Sequence, residues 1–128
     1  MPRMRRATMI SLAIATSSLA AQADATASAS PIATAFGNTI VSTYPDGRTA
    51  ELWLQPGGSY AAMGRRGDPS SGHWKIKGQR ICLTQARPFP APFSYCTAIP
   101  QSGTWSARAV TGEPIRVRIV QGRYSGRA

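Results

Sequence analysis

The sequence predicts an all-β fold: an antiparallel up-and-down meander of about eight strands, forming a barrel or half-open barrel with one disulfide. Three observations carry this. From Gly37 onward, short runs of β-branched and aromatic residues recur about every 8–12 residues between Gly, Pro and Asp turn signals. Within those runs apolar and polar residues alternate with the two-residue period of a strand. The only two cysteines, Cys82 and Cys96, fall where adjacent runs can set them side by side.

The chain opens on a segment laid out as a secretory leader. Arg3, Arg5 and Arg6 form a basic start, and Thr8 to Ala21 is apolar and small. Ala21-Gln22-Ala23 is an A-x-A cleavage signal, with Ala23-Asp24-Ala25 as a second option. Residues 1–23 are therefore expected to be a signal peptide. The protein is expected to be exported, to a periplasmic or extracellular space. The apolar stretch is too short to cross a bilayer as a helix, and no later stretch is longer. Residues 24–36 are rich in Ala, Ser and Thr and read as a flexible spacer without a core. Residues 37–123 read as a single β domain and residues 124–128 as a tail, fraying from Arg123 on.

The turns define the register. Tyr44-Pro45-Asp46-Gly47-Arg48 fits a type I turn followed by a left-handed glycine, which sets Ile40 opposite Leu52 and Ser42 opposite Ala50. Gln55-Pro56-Gly57-Gly58-Ser59 repeats the device and sets Leu54 opposite Tyr60. Residues 67–72 read as a loop. Trp74 and Ile76 then alternate with His73, Lys75 and Lys77, and Gly78-Gln79 suits a type II′ turn. That turn places Lys77 opposite Arg80, Ile76 opposite Ile81, Lys75 opposite Cys82 and Trp74 opposite Leu83.

If Cys82 faces Cys96, then Leu83 faces Tyr95 and the bridge lies on the outward side. In an oxidising compartment the pair is expected to be bonded, which stabilises the fold by about 3 kcal/mol in the chain-entropy model. The connection Ala86–Pro92 holds three prolines. Thr104–Val110 and Ile115–Val120 form the last pair. With Val110–Pro114 as their loop, Trp105 faces Ile119 and Ala107 faces Val117. The expected interior is Ile40, Leu52, Leu54, Tyr60, Trp74, Ile76, Ile81, Leu83, Trp105, Ile115, Val117 and Ile119, and its large aromatics favour a filled core.

Several chemistries are excluded on composition. Of the five carboxylates, Asp46 and Glu113 lie in turns and Asp68 in a loop, while Glu51 is expected on the outer face of a strand. Nothing pairs two of them across a substrate as glycoside hydrolysis requires. His73 is the only histidine. A triad of His73 with Ser70 or Ser71 and Asp68 would come from one short segment rather than from distant rigid supports. No catalytic residue, metal site or cofactor is therefore expected; one histidine and two bonded cysteines do not make a metal set. The charge balance, 15 Lys and Arg against 5 Asp and Glu, draws anionic partners instead. Lys75, Lys77 and Arg80 form one candidate anion-binding cluster, Arg116 and Arg118 stripe the last strand, and Arg65-Arg66 sits near a loop. The partners such charge suits are an anionic envelope polymer, lipid headgroups or an acidic protein. Nucleic acid is not favoured, because Trp53 is the only tryptophan expected on the outer face.

Gly72-His73-Trp74 resembles the G-x-W element of lipocalins, although there the motif lies at the first strand. The core G-x-W-x-x-x-G-x-x-x-C, here Gly72, Trp74, Gly78 and Cys82 followed by Tyr95-Cys96, resembles an uncharacterised family of small secreted bacterial β-proteins. The resemblance implies a lipocalin-like antiparallel fold and a secreted setting, and no activity. Three functions stay open. The first is a non-enzymatic interaction protein using a basic outer face. The second is a carrier of a small apolar ligand in a cavity lined by Trp74 and Trp105. The third is a secreted hydrolase inhibitor that makes contact through Arg87–Pro92.

Overall fold

The computed structural model describes residues 31–124. The expected leader, both cleavage options, the spacer up to Ser30 and the tail from Ser125 lie outside them. Eight antiparallel strands follow a one-turn 3-10 helix, Pro31–Ala35: β1 (Thr39–Thr43), β2 (Thr49–Leu54), β3 (Ser59–Met63), β4 (Pro69–Lys77), β5 (Arg80–Arg87), β6 (Ser94–Ala98), β7 (Thr104–Arg108) and β8 (Pro114–Val120). They form one sheet in the order β6-β5-β4-β3-β2-β1-β8-β7, rolled into a nearly closed barrel. The first and last strands pair in mid-sheet, Thr39 opposite Val120 through Thr43 opposite Arg116. The open seam therefore lies between β6 and β7, which are consecutive in the chain. The Tyr95 hydroxyl crosses that seam and donates to the Arg108 carbonyl.

Four of the turns share one build. The N–H of the first residue reaches the fifth carbonyl, and the fourth residue, a glycine, donates back to the first. This holds for Tyr44–Arg48, Gln55–Ser59, Gly64–Asp68 and Ala109–Glu113. The glycines sit at φ +84° (Gly47), +96° (Gly58), +89° (Gly67) and +86° (Gly112), where a Cβ would be strained. The first two turns give the expected pairings, Ile40 with Leu52 and Leu54 with Tyr60. The other two correct the expectation. The segment 67–72 is not a loop: the turn ends at Asp68 and β4 starts at Pro69, a position where a missing N–H is tolerated. The last hairpin is two residues out of the expected register, so Trp105 faces Val117 and Ala107 faces Ile115. A slip of two leaves every side chain on its own face.

The pairing around the cysteines is as expected, with Lys75 opposite Cys82, Cys82 opposite Cys96 and Leu83 opposite Tyr95. The disulfide joins direct cross-strand partners 4.0 Å apart at Cα and staples β6, an edge strand, to β5. The interior holds Ile40, Leu54, Tyr60, Ile81, Trp105, Ile115 and Val117, with Leu52, Trp74, Leu83 and Ile119 packed against them. Ile76 has the expected orientation but is 39% exposed, because β4 runs on beyond its last rung with β3 at His73.

Two further expectations are overturned, and one outer-face residue turns out to be buried. The spacer is not coreless throughout. Ile32 and Ala35, one 3-10 turn apart and so on one side, plug the barrel end, and the Phe36 ring lies 5.8 Å from that of Trp74. The chain does not fray at Arg123. The Gly122 and Tyr124 N–H groups donate to Asn38 Oδ1 and Thr39 Oγ1, at 2.9 and 2.7 Å. Glu51 lies on the outer side of β2 yet is only 2% exposed, sharing a second buried layer with Thr39, Val41 and Trp53.

Gly72 faces the interior where the β4–β5 register shifts. A Cβ there would lie 2.0 Å from the Thr84 carbonyl oxygen and 2.9 Å from Gln85 Cα, both backbone. Gly72→Ala is expected to destabilise by about 1–3 kcal/mol or more. Gly57→Ala, which meets nothing within 4 Å, is the control; equal thermal unfolding of the two variants would refute the packing account. Replacing both Cys82 and Cys96 with Ser is expected to cost about 3 kcal/mol in urea unfolding.

Candidate functional site

The topology sorts the connections into two rims. The loop rim carries the turns 44–48, 64–68 and 109–113 and the loop 88–93. The terminal rim carries the turns 55–59 and 78–79, the connection 99–103, and the described ends of the chain, the 3-10 helix and residues 121–124. Asp46, Asp68 and Glu113 all fall on the loop rim, so this rim holds every described carboxylate except Glu51.

There Arg65 ties three turns together. Its guanidinium binds Glu113 through both oxygens, Nη2 to Oε1 at 2.7 Å and Nη1 to Oε2 at 3.0 Å. It lies 3.7 Å from Asp46 Oδ2 and stacks 4.3 Å from the centre of the Tyr44 ring. Thr111 Oγ1 also donates to Glu113 Oε1, at 3.0 Å. These hydrogen bonds, that of Arg65 foremost, hold the Glu113 carboxyl below its usual range, while burial raises the Tyr44 phenol. The arrangement clamps β1–β2, β3–β4 and β7–β8 at one rim. It is a structural latch, since both charges are spent on each other.

Elsewhere the grouping of polar side chains is sparse. Ser70 and Ser71 point to opposite sides of β4, and His73 faces outward between Ser59 and Thr84. Among the described residues no group of three or more His, Cys, Asp or Glu is placed to hold a metal.

The five candidate anion-binding residues are all exposed but do not form one patch. Arg116 and Arg118 lie on β8, separated from β4 by β3, β2 and β1, and Arg116 Nη1 donates to Ser106 Oγ at 3.2 Å. Lys75, Lys77 and Arg80 sit together on the β4–β5 hairpin where it outruns β3, and Arg80 reaches the Cys96 carbonyl at 3.3 Å. The outer side of β4–β6 continues through His73, Thr84, Ser94 and the disulfide to Arg87, opposite Ser71. Among the described residues this flank carries no carboxylate, and no ion pair reaches its cations.

The tryptophans are engaged internally. Trp105 is core, and Trp74 packs against the core while its Nε1 donates to the Gln55 carbonyl at 2.9 Å. Trp53 does face outward, but it is 8% exposed. Its Nε1 binds Thr39 Oγ1 at 2.9 Å and Arg123 covers its ring at 4.4 Å. A half-open cleft of about 60 Å³ lies here, lined by Gly37, Asn38, Trp53, Leu54, Gln55 and Arg123. It is far below the roughly 300–1,000 Å³ of pockets that enclose drug-sized ligands, and neither Trp74 nor Trp105 lines it.

The chain matches no protein-family model, no curated protein and no solved structure.

Two features escape a reading of the sequence. One is the latch, whose members lie 48 residues apart; the third glycine turn is the signal that brings Arg65 to the rim. The other is the loop 88–93, which holds Phe89 and Phe93 in solvent at 62% and 57% exposure.

The latch makes a pH-dependent prediction. A carboxyl lowered by folding stabilises the protein above its unfolded pKa, and the effect is lost as pH falls through the folded value. Glu113→Gln is therefore expected to lower Tm by a few degrees near neutrality. That difference should close as pH falls below about 4. A deficit independent of pH, read by thermal unfolding, would show that the charge is not the stabilising element.

Proposed function

We propose that the protein is a non-enzymatic binding protein that works outside the cytoplasm and engages an anionic envelope component through the outer side of β4–β6. The supporting observation is the hairpin itself. Lys77 stands directly opposite Arg80, with Lys75 beside them, all exposed on a flank without described carboxylates. Like charges directly opposite in a sheet repel, and the pair becomes favourable when an anion lies between them. Lysine on an open strand edge also discourages edge-to-edge pairing, which accounts for Lys75 and Lys77 at the edge of β4 beyond β3. It does not account for Arg80, which lies on β5, an interior strand. The leader-like N-terminus supports the exported setting, and the small cleft gives the apolar-carrier reading no comparable support.

Retention on phosphocellulose at low salt tests the reading. Reversing Lys75, Lys77 and Arg80 together to glutamate is expected to abolish retention, while reversing Arg116 and Arg118 leaves most of it. An unchanged elution salt for the triple variant would remove the flank from consideration.

A further inference from the structure

We infer that the anionic partner of the β4–β6 flank is the surface of a lipid bilayer, with Phe89 and Phe93 inserted as apolar anchors; this rests on the reading just proposed. β4 and β5, the two strands that carry the cations, are joined by the turn 78–79. β5 runs on past Arg87 into the loop 88–93, P-F-P-A-P-F, which leads to β6, so the cations and the phenyl rings lie along one continuous stretch of chain. Arg80, with Lys77 of β4 opposite it, marks one end of β5, and Arg87 the other, where the loop begins.

The two rings are held out of the core by construction. Gln85 Nε2 donates to the Phe89 carbonyl at 3.0 Å and the Ala91 N–H to the Gln85 carbonyl at 3.1 Å. Pro88, Pro90 and Pro92 restrict what backbone freedom remains. Phe89 and Phe93 are thus two of the five large apolar side chains exposed among the described residues, and they sit four positions apart in a stiffened loop.

A soluble polyanion offers phosphate or carboxylate but nothing for a phenyl ring. A bilayer interface offers both. Headgroup phosphates meet Lys75, Lys77, Arg80 and Arg87, and the acyl boundary accepts the rings. Surfaces that bind this way combine cations with buried apolar area, and neither alone gives stable attachment. Ordering the loop in advance lowers the entropic cost of docking.

The test uses the oxidised protein and sedimentation with vesicles of phosphatidylcholine alone or with one-third phosphatidylglycerol. Binding is expected only with phosphatidylglycerol and is expected to weaken with salt. Phe89→Ser with Phe93→Ser should reduce vesicle affinity about ten-fold or more, while phosphocellulose elution and Tm stay unchanged. Phe89→Trp should show blue-shifted emission on anionic vesicles. Retention on phosphocellulose without vesicle binding would overturn the bilayer inference and leave the basic-flank reading standing. Vesicle binding indifferent to the loss of both rings would overturn the anchoring role. Failure on both matrices would remove both proposals.

Discussion

Four left-handed glycines hold this barrel in register. A strand slipped by one residue exchanges its two faces. The turns at 44–48, 55–59, 64–68 and 109–113 prevent that slip in four of the hairpins. The interior side chains of β1 to β4, β7 and β8 inherit their positions from those turns, while the turn at 78–79 and the loop 88–93 set the outward cations of β4–β5 and the facing cysteines. The hydrophobic contribution is spread over many side chains and would tolerate conservative exchange. The backbone angles at Gly47, Gly58, Gly67 and Gly112 are far less negotiable.

The parts legible from sequence were those controlled locally. Pro-Asp-Gly and Pro-Gly-Gly announce their turns, so the pairings of Ile40, Leu52, Leu54 and Tyr60 follow directly. Gly-Arg-Arg-Gly-Asp and Ala-Val-Thr-Gly-Glu use the same glycine without the flanking proline. Sequence spacing therefore does not reveal the third turn, and it sets the fourth one residue late, which shifts the pairing by two. What sequence spacing could not convey was what distant segments do to one another. The 3-10 turn at Pro31–Ala35 becomes core only because the barrel has an end to plug. Trp53 is withdrawn from solvent by Arg123, seventy residues later in the chain. Among the candidate anion-binding residues, exposure was foreseen correctly, whereas the separation of β8 from β4 depends on the strand order.

The two rims differ chemically because one gathers the carboxylates and the other does not. Arg65, Glu113, Asp46 and Tyr44 form a polar closure at the loop rim, and Ile32 and Ala35 form an apolar one opposite. The flank of β4–β6 carries no described carboxylate and is a surface of one sign, while Asp46 and Glu113 are held by Arg65 at the loop rim. That separation gives a small domain a defined direction of approach in an electric field.

The pairing of β1 with β8 has a consequence for the order in which the molecule is made. Six strands, β1 to β6, can form hairpin by hairpin as the chain lengthens, each contact closing only a short stretch. The second edge of β1 has no such neighbour. Its partner is the last strand to be synthesised, roughly eighty residues downstream. The contact that converts a six-strand curl into a barrel is therefore the slowest to become available. Until it forms, β1 offers an unpaired edge on which foreign strands could be templated.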